Sequence, residues 1–117
     1  PEALRIVAVA EPNAARREAF ASQHDLGESA CLNSWEVLLN ARKLADTVIN
    51  TTMDRTHYLS TLAALSRGYE VLLEEPMSPI LAENIHLIQA AEQQGCLLQI
   101  CHVLRYAPFF SGAAAGY

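Results

Sequence analysis

Short apolar runs of strand length alternate with alanine- and leucine-rich stretches of helical length, and this alternation limits the possible folds more than any other feature of the chain. "RIVAVAE" (Arg5 to Glu11) is apolar on both faces, the pattern of a strand covered on two sides in a parallel sheet. "PNAARREAFASQH" follows at once and reads as a helix over 13–23, with Pro12 at its start, where a missing N–H is harmless. A short strand near Ala30 to Leu32 precedes a helix through Arg42, capped by Ser34, with Trp35, Leu38 and Leu39 turned inward. "TVINTT" (Thr47 to Thr52) is the third strand. Asp54 is placed to cap "RTHYLSTLAALSR", and Gly68 to end it just beyond the last helical turn. "YEVLLEE" is the fourth strand, stopped by Pro76. Ser78 and Pro79 open a helix over 79–94, whose Leu81, Ile85 and Ile88 recur at helical spacing and mark the expected buried face. Gly95 closes it, and "CLLQICHV" is the last strand. Strands joined through helices by short loops predict an α/β fold with a doubly wound parallel sheet.

With 117 residues the chain holds one domain and one core. Apolar residues make up 51%, too many for a disordered segment and enough that some surface is expected to meet a partner. The net charge of −5, with no basic patch, argues against nucleic acid. No apolar run reaches the length of a membrane span, and no signal peptide is read. Cys31, Cys96 and Cys101 lack metal-type spacing, so free thiols in a reducing cytoplasm and no metal site are expected.

Open α/β sheets bind ligands at the carboxyl ends of their strands. There the chain places Glu11, then "NTTMD", then "EEP", then "CHVLRY". Glu11 can accept hydrogen bonds from ribose hydroxyls, although a carboxylate beside a helix N-terminus is the plainer explanation. Thr51 and Thr52 can line a cofactor or merely form a polar loop. His57, early in a helix, reads first as a surface histidine. His102 and Arg105 can meet an anionic or hydroxylated ligand, with a strand histidine beside an ion pair as the duller alternative. No one of these signals is specific; their shared location carries more.

The succession "VAVAEPN", "INTTMDRTHYLSTLAALSRGYEVLLEEPMS" and "CHVLRYAPFF" resembles the nucleotide-binding domain of the glucose-fructose oxidoreductase / inositol dehydrogenase / MocA family. The likeness covers roughly Arg5 to Phe110, and its most specific part is the spacing from His57 through Gly68 to Pro76. It implies an NAD- or NADP-dependent oxidoreductase acting on sugars, inositols and related hydroxylated compounds. By position it implies that Glu11 faces the adenine ribose and that Thr51, Thr52 and His57 lie near the cofactor. Glu74 and Pro76 become the outer residues of a glutamate-lysine-proline motif, and Arg105 approaches the nicotinamide or substrate.

Three departures accompany the likeness. Glu75 stands at the family's lysine position, where an amine looks like the acid/base for an alcohol; a carboxylate reverses that charge and is normally too weak a base. None of the five glycines, Gly27, Gly68, Gly95, Gly112 and Gly116, forms a G-x-G-x-x-G turn for a pyrophosphate. The family's opening strand is not found, and its substrate domain would begin after Phe110. The resulting expectation is an incomplete Rossmann-like domain over 1–110 with a flexible tail over 111–117. Such a chain is expected to bind NAD(P) weakly or not at all, without turnover, with Glu75, His102 and Arg105 as remnants of the catalytic set. A non-catalytic binding or regulatory module is the alternative. The slot between "RIVAVAE" and "TVINT" is expected to close by direct pairing of these strands, or to be filled by self-association or a partner chain.

Overall fold

A computed structural model describes residues 4–108, in two compact units divided between Asp46 and Thr47. The first unit contains β1 (Val9–Ala10), α1 (Ala14–Gln23), β2 (Cys31–Leu32) and α2 (Trp35–Asn40). β1 and β2 are parallel, Val9 opposite Cys31 and Ala10 opposite Leu32, and the Glu11 N–H extends the ladder to the Leu32 carbonyl at 3.0 Å. The ladder is much shorter than the apolar run 5–11, because a ladder lasts only as long as its partner strand and β2 is two residues long. α1 begins at Asn13, whose side-chain oxygen accepts the Arg16 N–H at 3.0 Å. α2 begins at Ser34, whose Oγ accepts the Val37 N–H at 3.3 Å. Each cap satisfies a backbone donor that the first helical turn leaves without a partner. On α2, Leu39 is buried and Trp35 and Leu38 are half-buried.

The second unit contains β3 (Thr47–Asn50), α3 (His57–Ser66), β4 (Glu70–Glu74), α4 (Leu81–Gln94) and β5 (Leu98–Cys101). Its three strands are parallel in the order β3-β4-β5. Tyr69, just before the central strand, and Val71 and Leu73 within it are buried with Ala64 and Leu65 of α3 and Leu87 and Ala91 of α4. Gly68, at φ +77°, takes the left-handed turn beyond α3, and the Tyr69 N–H returns to the Ala64 carbonyl at 3.1 Å.

The α/β alternation and the parallel pairing follow the pattern read from the sequence, with differences of detail. The strands form two ladders, one in each unit. Asp54 does not cap α3; a 3₁₀ turn over Asp54–Thr56 precedes the helix, and the Thr56 N–H bonds the Met53 carbonyl at 2.7 Å. α4 begins at Leu81, and Ser78 serves its approach by accepting the Ile80 N–H at 3.0 Å and donating to the Glu83 carboxylate. Leu81, Ile85 and Ile88 are not the buried face: they are 72%, 47% and 48% exposed. Two strips of α4 share the helical period, and α4 meets α3 along the one that carries Leu87 and Ala91. Residues 111–117 lie outside the described residues.

Candidate active site at the strand ends

Asn50, the last residue of β3, is buried. Its Nδ2 donates to Ser60 Oγ at 2.8 Å and to Thr61 Oγ1 at 2.9 Å. Its Oδ1 accepts the Thr52 N–H at 3.2 Å and the Thr52 hydroxyl at 2.9 Å. An amide has two donor hydrogens and two acceptor lone pairs, so Asn50 is fully satisfied. The turn from β3 into α3 is therefore fastened to α3 by side chains. Thr52 is held inside this network, whereas Thr51 is exposed.

His57 is 1% exposed, contrary to the surface position read for it. Its Nδ1 lies 2.6 Å from the Pro76 carbonyl oxygen and its Nε2 lies 2.8 Å from the Thr52 carbonyl oxygen. The ring thus bolts the loop after β3 to the loop after β4. Both nitrogens are engaged within the chain, so His57 acts on the strand ends through the loops it joins. Pro76 follows a cis peptide bond from Glu75.

The ladder also decides what meets beyond β4 and β5. Glu74 is opposite Cys101, so Glu75 and His102 are the first residues past the paired ends. Their side chains meet, Glu75 Oε2 to His102 Nδ1, at 3.1 Å, with both about half exposed. Glu74 is half-buried, and its carboxylate has no hydrogen bond among the described residues. Arg105 sits in a 3₁₀ turn (Val103–Tyr106), exposed, with its backbone N–H tied to the His102 carbonyl at 3.1 Å.

Glu11 belongs to the first unit. Its Oε1 accepts the Asn13 N–H at 2.8 Å and Arg16 Nη2 at 3.2 Å, while its carbonyl accepts Arg17 Nη1 at 2.6 Å. Oε2 has no partner among the described residues. A shallow cleft in this unit, lined by Leu4, Ile6, His24 and Leu26 among others, touches none of the candidate site residues. No group of three or more His, Cys, Asp or Glu side chains able to hold a metal occurs among the described residues.

Asn50 was not singled out by sequence reasoning, although its place was legible: an amide at the end of an apolar strand, ten and eleven residues before a Ser-Thr pair on the next helix. The parallel strands, their helices and the polar groups at the strand ends define a nucleotide-binding α/β domain of the Rossmann class. The chain belongs to the Gfo/Idh/MocA oxidoreductase family, whose NAD-binding Rossmann-fold domain matches residues 1–102. It is 31% identical over 102 residues to 1,5-anhydro-D-fructose reductase of Ensifer adhaerens, covering 87% of this chain and 30% of that protein. It is 30% identical over 84 residues to the NADP(+)-dependent scyllo-inositol 2-dehydrogenase IolW of Bacillus subtilis (strain 168), covering 72% of this chain and 23% of that protein. Biliverdin reductase from Synechocystis sp. PCC 6803, solved with biliverdin and NADP+, superposes with a TM-score of 0.85 at 25% identity, over 95% of this chain and 34% of that one. The chain thus spans less than a third of the length of these two curated relatives.

Proposed function

We propose that the protein carrying this chain is an NAD(P)-linked oxidoreductase that interconverts a hydroxyl and a carbonyl group on a sugar-like or polyol substrate. The observation that carries the reading is the convergence of Asn50–Thr52, Glu74–Pro76 and His102 at the carboxyl ends of three adjacent parallel strands. Family membership supports the cofactor, and the two curated relatives act on an anhydrofructose and an inositol.

Within the first unit, Glu11 keeps one carboxylate oxygen without a partner among the described residues, a suitable acceptor for ribose hydroxyls of a nicotinamide dinucleotide. Within the second unit, Thr51 offers an exposed hydroxyl. The three described glycines supply no pyrophosphate turn: Gly68 and Gly95 end helices, and Gly27 precedes a 3₁₀ turn. When bound, the nicotinamide supplies a hydride acceptor or donor. The chain's own residues fix the loops around it through Asn50 and His57 and present Glu75 and His102 to a substrate hydroxyl.

A second reading, a binding module without turnover, is favoured by one observation, the carboxylate of Glu75 where the family has a lysine. Fluorescence titration with NADH and NADPH, together with a turnover assay on inositols and anhydrosugars, separates the two. Cofactor binding with turnover supports the first reading; binding without turnover supports the second; neither binding nor turnover defeats the first. An association of copies, or a partner chain, along the exposed edge of β3 belongs to the same proposal, supported by Ile49 at 45% exposure. Light scattering tests it, and a monodisperse monomer counts against it. A cytoplasmic location is likewise proposed, supported by the three free cysteines. Among the described residues no helix is long and apolar enough to cross a membrane.

A further inference from the structure

We propose that Glu75 and His102 form a carboxylate–imidazole pair in which His102 Nε2 takes the proton of the substrate hydroxyl, replacing the amine expected at position 75; this rests on the oxidoreductase reading above. The register of β4 and β5 puts the two residues side by side, and Glu75 Oε2 lies 3.1 Å from His102 Nδ1. An ionised carboxylate only accepts hydrogen bonds, so Nδ1 is the nitrogen that carries the N–H. The lone pair of the neutral ring then sits on Nε2. No group among the described residues bonds Nε2, and the ring is half exposed, so a hydroxylated ligand can reach it.

A carboxylate alone is a poor base for an alcohol, whereas imidazole is the ordinary side chain for proton exchange near neutrality. In oxidation the O–H bond breaks and its proton passes to Nε2. The oxygen's electron pair forms the carbonyl π bond, and the C–H pair leaves as hydride to a nicotinamide cofactor. The imidazolium that results faces the Glu75 carboxylate, which stabilises it. In reduction the same proton returns to the developing alkoxide. Glu75 is thus a positioning residue and His102 the group that touches substrate. The replacement of lysine by glutamate then moves the acid/base by one strand instead of removing it.

Nitrogen-15 NMR of the histidine rings in the full-length protein tests the pair. His102 is assigned by the signals lost in His102→Gln. The neutral ring is expected to carry its proton on Nδ1 in the unmodified protein and to revert to Nε2–H, the form free imidazole side chains favour, in Glu75→Ala. An Nε2–H ring in the unmodified protein overturns the proposal. Turnover of scyllo-inositol with NAD+ or NADP+ is expected to fall about 100-fold or more in His102→Gln. It should fall less in Glu75→Ala and recover in part in Glu75→Asp. Undiminished turnover in Glu75→Ala overturns the catalytic pairing. An Nδ1–H ring with no turnover on any polyol overturns the oxidoreductase reading, and the catalytic role with it, while leaving the tautomer assignment intact.

Discussion

Replacing Asn50 with alanine removes four hydrogen bonds from a side chain that is 4% exposed. The losses are unequal. Ser60 still donates to the Thr56 carbonyl at 2.8 Å, so it keeps its own donor bond. Thr61, fully buried, loses the amide that faced it, and the Thr52 N–H loses its acceptor. With a net contribution of about 0.5–1.5 kcal/mol per bond, and about 1–3 kcal/mol for a buried donor left without a partner, the total is about 3 kcal/mol. That is a large share of the about 5–15 kcal/mol that holds an ordinary domain folded. Urea unfolding followed by far-UV circular dichroism reads it directly. With a slope of about 1–2 kcal/mol per molar urea, the midpoint should fall by about 1.5–3 M. Gln93→Ala, at an exposed site on α4, is the control and should stay within about 0.5 kcal/mol of the unmodified protein. A midpoint for Asn50→Ala inside the scatter of that control would show that the amide network does not hold the turn.

His57→Ala removes both carbonyl contacts and leaves a void between two loops, so a loss of about 2–4 kcal/mol is expected in the same urea assay. Gly95→Ala meets no neighbouring atom within 4 Å, so its cost is the left-handed backbone alone, about 1–2 kcal/mol, read as a lower thermal midpoint. Ile85→Lys, on the exposed strip of α4, should change stability by less than about 0.5 kcal/mol; a loss of the size seen for a buried isoleucine would contradict the packing described for that helix. Glu75→Lys breaks a half-exposed pair and should cost less than about 1 kcal/mol, and by placing a cation beside His102 it should not raise turnover.

Apolar period and helix punctuation carried most of the architecture. Five strands and four helices lie near the places where apolar runs, Gly68 and Gly95 put them. Strand lengths were less legible, because the length of β1 is set by a partner that the run 5–11 does not contain. The inward face of α4 was misread because Leu81, Ile85 and Ile88 satisfy the helical period as well as the strip of Leu87 and Ala91 does. Only packing against α3 chooses between them. At the strand ends, how the residues bond was not legible in the sequence. His57 looked like a surface residue because both of its neighbours are backbone carbonyls, one of them nineteen positions away. The meeting of Glu75 and His102 follows from ladder register, which a separation of twenty-seven positions does not announce.

The fastening of the turn after β3 has a consequence for affinity. A loop that becomes ordered only when a ligand arrives charges its lost conformational freedom against binding, about 0.5–1.5 kcal/mol for each side chain immobilised. Here Asn50, Thr52, Ser60 and Thr61 are already committed to one another, and His57 ties the neighbouring loop to the same frame. A ligand that docks on this edge meets preorganised backbone, and its binding enthalpy is not spent on ordering the turn. Calorimetry should then show a small entropic penalty for the unmodified protein and a larger one once Asn50 is truncated, with the contacts to the ligand themselves unchanged.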